Sequence, residues 1–349
     1  IVVGASFELT GNVANYGKST LSGLKMAFDE VNKAGGIDGK KLRIVESDNK
    51  SEPSEAGNSV TKLVTQDKVI AVVGPATSGC VAASTPITTA NKVPLIAPCA
   101  TAPNITVENG KVKEFVFRSC FIDPFQGRVM AEFADKNLKV KNVAILYDAS
   151  SDYSKGLAEV FTKTMEEKGG KIVAKEAFLA KDLDFKSALT NPEAIYIPGY
   201  YEEVAKIIKQ TRELGLNVPL LGCDGWDSPK LVEIGGPEAL NNTYFSSAYS
   251  AQDKEPSVQK FIAGYKAMYN KEPDVFCMQG YNAGLILADA IKRAGTTDGT
   301  KLAAAIAATK DLSVASGKLT YDADHNPITS AIIIELKDGV QTFKEKITL

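Results

Sequence analysis

The sequence predicts an α/β protein made of two doubly wound, largely parallel units, and three observations predict it. Strand-like apolar runs alternate with helix-like amphipathic segments from the first residue onward. One of those runs, Val69-Ile-Ala-Val-Val73, is short and apolar at every position. That is the pattern of a strand covered on both faces of a parallel sheet. The alternation then restarts after Phe121 with a similar rhythm, and 349 residues are enough for two domains that each bury a core.

The elements follow in order. Residues 1–9 are apolar, and a Gly/Asn loop leads to a helix over 17–34 with Leu21, Leu24, Phe28 and Val31 on one face. Ala34-Gly-Gly36 ends it, glycine accepting the left-handed backbone that closes helices. A strand over 41–48 (Leu42 and Ile44 inward), a helix over 54–66 carrying Val60, Leu63 and Val64, and the 69–73 strand come next. A helix over 78–91 and a strand over 94–97 complete a βαβαβαβ run with right-handed crossovers. After the apolar segment 115–121, helices over 124–136 and 152–168 alternate with strands over 142–147 and 171–178. A short helix from Asp184, a strand over 194–197, a helix over 202–214 and a strand over 219–222 finish the second unit. Helices over 256–270, 276–294 and 300–308 follow, then strand-like pieces at 317–321, 330–336 and 340–347.

Composition narrows the chemistry. With 44% hydrophobic and 23% charged residues the chain is a folded globular protein, and a net charge of −2 gives no general pull toward nucleic acid or anionic lipid. The single histidine, His325, excludes His-rich metal sites and lies in the turn-rich Asp322-Ala-Asp-His325-Asn-Pro327, where a solvated loop residue is expected. The five cysteines (Cys80, Cys99, Cys120, Cys223, Cys277) form no Cys-x-x-Cys, so a zinc ribbon or thioredoxin-type motif is unsupported. No apolar run approaches the ~18 residues of a membrane span. The chain opens on Ile1-Val-Val-Gly-Ala-Ser-Phe7 without a signal-like segment. The expectation is a cytosolic protein or a mature exported chain whose leader has been removed.

In parallel sheets ligands bind beyond the carboxyl ends of strands, so the polar loops there are the candidate site. Gly74-Pro-Ala76-Thr77-Ser78-Gly79 enters a helix; Ser78 either caps it or joins free amides in holding a carboxylate or phosphate. The loop matches neither nucleotide cradle, Gly-x-Gly-x-x-Gly or Gly-Lys-Ser/Thr, and no cofactor is expected. Ala97-Pro-Cys99-Ala-Thr101-Ala-Pro103 is held extended by its prolines, leaving Thr101 to offer hydroxyl and backbone. Gly222-Cys-Asp224-Gly-Trp226-Asp-Ser sets an acid beside the only tryptophan. It reads either as a carboxylate for a cationic amine with an aromatic wall, or as a helix cap at Asp227 or Ser228 with a packing ring. Tyr153 and Tyr200 also follow strands. No nucleophile has a base beside it, so the set suits binding without turnover.

Five segments in register carry a resemblance that covers essentially the whole chain. They are Gly11-Asn-Val-Ala-Asn-Tyr16-Gly17, Asn32-Lys-Ala-Gly-Gly36-Ile-Asp-Gly-Lys40, Ala100-Thr101-Ala-Pro103, Phe117-Arg-Ser-Cys-Phe121-Ile-Asp-Pro-Phe-Gln-Gly127 and Gly222-Cys-Asp224-Gly-Trp226. The sequence resembles the type I periplasmic binding proteins, specifically the Leu/Ile/Val-binding family of amino-acid ABC transporters. The resemblance implies two Rossmann-like lobes, residues 1–120 with 250–326 and residues 123–248 with 329–349, joined by three hinge crossovers around a ligand cleft. It implies a ligand carboxylate on Ser78 and Thr101, and an ammonium on the Cys99 carbonyl, Thr101 and Asp224. Tyr16, Ala76, Tyr153, Tyr200, Trp226, Phe276 and Gln279 are implied as the side-chain pocket, with Phe121 beside the hinge. Gln279 stands where many relatives carry an apolar residue, and Asp224 where some carry the longer Glu. A Cys99–Cys277 disulfide is left open.

The function so implied is capture of a free α-amino acid, branched-chain aliphatic first, and delivery to an ABC permease. The chain is then a monomeric, non-enzymatic protein without a nucleic-acid partner, periplasmic or a cell-surface lipoprotein. The alternatives are a ligand-sensing module of a receptor or amide-type regulator with the same fold, or a binder of a non-amino-acid carboxylate such as an aromatic acid.

Overall fold

The computed structural model describes residues 1–179 and 192–348, so the short helix expected from Asp184 lies outside the described residues. The chain divides into two compact units, Ile1–Phe121 with Asp253–Thr329 and Ile122–Gln252 with Ser330–Leu349.

The first unit is built on a five-stranded, wholly parallel sheet. Its order is Arg43–Asp48, Val2–Phe7, Val72–Val73, Leu95–Ala97, Val116–Arg118. The central strand is shorter than its apolar run suggests, with two residues in regular pairing. Its approach is nonetheless anchored to the first strand, Gly4 donating to the Ala71 carbonyl and Ile70 to that of Val2. Val69 and Val72 join Val60, Leu63 and Val64 of the Pro53–Thr65 helix in one apolar cluster, the burial on both faces that a continuous apolar run requires.

Helix Ala14–Lys33 begins three residues before the expected start and buries Leu21, Leu24 and Phe28, leaving Val31 half-buried. It packs along Val275–Ala294, and small residues set the approach. A Cβ on Gly23 would lie 1.8 Å from the Cys277 carbonyl oxygen, and one on Gly280 2.0 Å from that of Thr20. These two backbones meet at distances only glycine permits. Helix Val275–Ala294 starts in a capping box: Asp274 accepts from the Cys277 amide while the Cys277 thiol reaches the Asp274 backbone. All five cysteines are free and buried, so the Cys99–Cys277 disulfide left open by the sequence is not formed. His325 departs from the expected solvated loop residue. Its ring stacks on Phe117 with centroids 4.3 Å apart, and Nδ1 lies 3.0 Å from the Val116 carbonyl.

The second unit holds a seven-stranded sheet, in order Val340–Thr348, Ser330–Lys337, Thr243–Ser247, Leu220–Gly222, Ala194–Tyr196, Asn142–Asp148, Lys171–Phe178. The last five of these run parallel, and the two C-terminal strands add an antiparallel edge. Strand Thr243–Ser247 carries too many hydroxyls to read as a strand from its sequence, yet every residue in it is buried. The hydroxyls are all spent: Thr243 on the Leu240 carbonyl, Ser246 on Gln126 and Ser247 on Asp227. Helix Pro229–Gly235, also not expected, is capped by Ser228, whose hydroxyl accepts from the Lys230 amide. The helix expected over 124–136 is regular over Asp123–Phe133 and widens into a π turn at Ala134–Leu138.

Crowding at the glycine pair gives a stability test. Gly280→Ala forces a methyl group against the backbone of Thr20, and overpacking of this kind costs about 1–3 kcal/mol. The expected result is a lower urea midpoint at unchanged m-value.

Candidate functional site

In the first unit the loop ahead of helix Ser78–Ala90 is organised by a residue that the sequence reading passed over. Glu8 follows the Val2–Phe7 strand and is wholly buried. Its carboxylate accepts from the amides of Ala76 and Thr77, both at 3.0 Å, and from the Thr77 hydroxyl at 2.8 Å. A carboxylate at a helix N-terminus is stabilised by the helix dipole as well as by these donors. Thr77, not Ser78, is therefore the N-cap residue, and it makes no side-chain cap bond. The amides of Ser78, Gly79 and Cys80 keep the freedom that first-turn amides have, since the helical ladder starts at Val81 bonding Thr77.

The 97–103 loop is clamped from behind. Arg118, fully buried at the end of the Val116–Arg118 strand, donates to the carbonyls of Ala100 (3.0 Å) and Ala102 (2.9 Å) and to the Thr106 hydroxyl (3.3 Å). Ala100 and Ala102 pack into an apolar cluster with Val81, Leu95 and Val116. Side chains alternate in extended backbone, so Thr101 faces the other way. The Thr101 hydroxyl is buried and has no hydrogen-bond partner among the described residues. Ser78 is tied to the same loop, its hydroxyl accepting from the Ala102 amide at 3.3 Å and keeping its proton to donate elsewhere. Ser78 and Thr101 are thus brought together by one hydrogen bond.

Contacts extend from there to the other residues expected in this unit. The Cys99 thiol lies 3.6 Å from the Thr20 hydroxyl, which donates to the Tyr16 carbonyl. Tyr16 stacks on Phe276 with centroids 4.1 Å apart. The Ser119 hydroxyl bridges the carbonyls of Pro98 and Gln279. Gln279 is buried, and its side-chain oxygen has no partner among the described residues. Ala76 sits at the Glu8 turn, and Phe121, buried, is the last residue of the first segment.

The second unit collects Asp224, Tyr153 and Tyr200. Asp224 opens a short 3-10 turn, Asp224–Trp226, after the Leu220–Gly222 strand. Its Oδ1 accepts from the Tyr153 hydroxyl at 2.5 Å and from Gln126 Nε2 at 3.0 Å. The Asp224 amide donates to Gln126 Oε1 at 3.2 Å, and that of Gly225 to the Tyr153 hydroxyl at 3.1 Å. No cation lies within ion-pair distance of Asp224 among the described residues. Burial pushes its carboxyl above the usual range, opposed by the bonds from Tyr153 and Gln126. Burial, and then the Asp224 charge, hold the Tyr153 phenol well above its ordinary value, so it remains a donor. Tyr200 stacks on Tyr153, with centroids 5.2 Å apart and ring planes nearly parallel.

Trp226 is placed differently from its neighbours. The indole is fully buried, donates to the Ile197 carbonyl at 2.9 Å, and lies over Gly222, where a Cβ would come within 2.1 Å of the ring. It packs as the anchor of the turn that carries Asp224. The signals for the three residues passed over were present. Glu8 is an acid at the carboxyl end of an apolar strand, and Arg118 and Gln126 sit inside the marker segment Phe117–Gly127. Among the described residues no group of three or more His, Cys, Asp or Glu is placed to hold a metal ion, and no helix is long and apolar enough to cross a membrane.

Parallel sheets with buried polar residues at their strand ends are the arrangement of an α/β protein that binds ligands beyond its strands, and comparison with known proteins gives the class. The periplasmic binding protein family profile matches residues 1–341. A Leu/Ile/Val-binding protein of Rhizobium johnstonii, BraC3, is 34% identical over 92% of this chain and 87% of its own length. The leucine-binding protein LivK of Thermotoga maritima superposes with a TM-score of 0.94 at 36% identity, over 100% of this chain and 99% of that one. The branched-chain amino-acid substrate-binding protein LivJ of Streptococcus pneumoniae, solved with isoleucine, gives 0.92 at 38% identity over the same shares. The chain belongs to the periplasmic binding proteins, in the family of the Leu/Ile/Val-binding proteins.

The Glu8 cradle yields a prediction. Glu8→Ala leaves the buried Ala76 and Thr77 amides without their acceptor and is expected to cost at least about 2 kcal/mol of unfolding free energy. Glu8→Gln, which keeps one accepting oxygen, recovers part of it; denaturant titration measures both.

Proposed function

We propose that this protein captures a free branched-chain aliphatic α-amino acid and hands it to an ABC permease outside the cytoplasmic membrane. The observation that carries the reading is Asp224: a buried carboxylate bonded only to neutral donors, with no cation within ion-pair distance among the described residues. Such a group calls for a proton or a cation, and the ammonium of an amino acid supplies the charge.

The ligand carboxylate is assigned to the first unit. The unpartnered Thr101 hydroxyl, the Ser78 proton and the first-turn amides of helix Ser78–Ala90 are neutral donors, aided by the helix dipole. Arg118, bonded to the carbonyls on both sides of Thr101, sets a positive charge behind the loop. One carboxylate for the ammonium and dipolar donors for the carboxylate suit a zwitterion with no net charge. The Cys99 carbonyl and Thr101 join Asp224 at the ammonium. Tyr16, Ala76, Tyr153, Tyr200, Phe276 and Gln279 are assigned to the ligand's side chain, and the names of the relatives support an aliphatic one. In this reading Trp226 acts from behind, by fixing the turn.

Binding to residues of both units draws the two lobes closed on the ligand, bending at the three places where the chain passes between them. The closed form is what the permease receives, and the set requires no turnover. We assign the chain a monomeric state and a periplasmic or surface-anchored location.

Thermal shift and calorimetry test this. Leucine, isoleucine and valine are expected to raise Tm, by mass action. A response to benzoate with none to any α-amino acid overturns the reading. Asp224→Asn keeps the Tyr153 and Gln126 bonds but removes the charge, so leucine affinity falls at least about 30-fold. The same change raises the Tm of the ligand-free protein, because an uncompensated buried charge is gone.

The pH dependence has a definite sign. Burial raises the Asp224 pKa in the free protein, and a bound ammonium lowers it, so below the free-protein pKa ligand binding must expel a proton. Leucine affinity therefore falls as pH drops through that raised value and is level above it, in calorimetric titrations across pH.

A further inference from the structure

Gln126 makes four hydrogen bonds, and they fill every donor and acceptor position of its amide. Nε2 donates to Asp123 Oδ1 at 2.8 Å and to Asp224 Oδ1 at 3.0 Å. Oε1 accepts from the Asp224 amide at 3.2 Å and from the Ser246 hydroxyl at 2.8 Å. The amide orientation is dictated by its neighbours, since a backbone N–H can only donate and an ionised carboxylate can only accept. The residue is 1% exposed, on the first turn of helix Asp123–Phe133, five residues after the first segment ends at Phe121.

Two of those bonds grip residue 224 at both its backbone and its side chain. Tyr153 also bonds Oδ1, and the backbone amides of Asp224 and Gly225 add to the hydrogen bonding of the carboxylate, so every donor it meets is neutral. We propose that Gln126 is the positioning residue of the ammonium site: by holding Asp224 at both its amide and Oδ1 it fixes the carboxylate for the ligand's cation. The proposal rests on the reading of Asp224 as the ammonium carboxylate.

The choice of an amide follows from charge. A lysine or arginine in this place would neutralise Asp224 internally and leave nothing for a ligand. A neutral NH2 group favours the ionised carboxylate while adding no charge of its own. Among the described residues the titratable groups facing Asp224 are Asp123 on the same helix as Gln126, Tyr153 on helix Asp152–Glu167, Tyr196 on its strand, and Cys223 beside it. All are acids, so none competes with the ammonium.

The test compares wild type, Asp224→Asn, Gln126→Glu and Ser246→Ala by calorimetry with leucine and with 4-methylpentanoate, which has the same body without the amine. Wild type preferring leucine, and Asp224→Asn losing that preference, establish the underlying reading; any other result overturns that reading, and the proposal with it. Given that footing, Gln126→Glu places a third carboxylate on Asp224. It is expected to shift the acid limb of leucine affinity to higher pH and to lower the preference over 4-methylpentanoate about tenfold at neutral pH. Ser246→Ala, which removes one partner of Oε1 and guards against a misfolded Gln126 variant, is expected to move both readouts in the same direction by less. A lowered Tm with the acid limb and the amine preference unchanged in both variants overturns the proposal while leaving the ammonium site standing.

Discussion

A carboxylate taken out of water must be met by donors, a cation or a proton, and the two strand-end acids answer that constraint in opposite ways. Glu8 is met in full by two amides and a hydroxyl at the head of helix Ser78–Ala90, and it becomes part of the scaffold. Asp224 is met by a phenol, a side-chain amide and backbone amides, and burial still holds its carboxyl above the usual range. The first arrangement fixes a loop; the second leaves a charge demand, which in the proposed reading a ligand fulfils. Much of the remaining architecture keeps these two groups in place.

Support behind the site comes from side chains that never face a ligand in this reading. Arg118 spends its guanidinium on the carbonyls flanking Thr101, so the loop cannot turn that hydroxyl away without stranding a buried charge. Trp226 lies on Gly222 and bonds Ile197, which pins the turn that starts at Asp224. Gly23 and Gly280 bring the long helices to backbone contact, and Val275–Ala294 carries Phe276 and Gln279 with it. In each case a bulky or charged group is immobilised by close packing or by hydrogen bonds that cannot be remade in water at lower cost. Rigid backing of this kind reduces the ordering that ligand binding must supply.

The alternation of strand and helix was legible because apolar periodicity is local: Lys171–Phe178 and Ser330–Lys337 read almost to the residue. Thr243–Ser247 was not, because its hydroxyls look solvated until Leu240, Gln126 and Asp227 are known to be their partners. Helix Pro229–Gly235 is too short to show a period, although Ser228 was among its expected caps. Site residues were legible as types at strand ends, Ser78, Thr101 and Asp224 above all. Their roles were less so: Trp226 reads as a wall in sequence and packs as an anchor in space.

The sequence by itself determined the α/β class, the absence of a nucleotide loop and the family, since these rest on local patterns and on motifs kept in order. Only the tertiary structure decided which polar groups are already satisfied. Glu8 and Asp224 are both acids after apolar strands, and nothing in their neighbours along the chain separates them. What separates them is that the Glu8 donors come from residues 76 and 77 at the head of a helix, while the Asp224 side-chain partners come from residues 126 and 153 and burial still raises its pKa. Hydrogen-bond satisfaction is a property of contacts distant in sequence, so it exists only once the chain has folded.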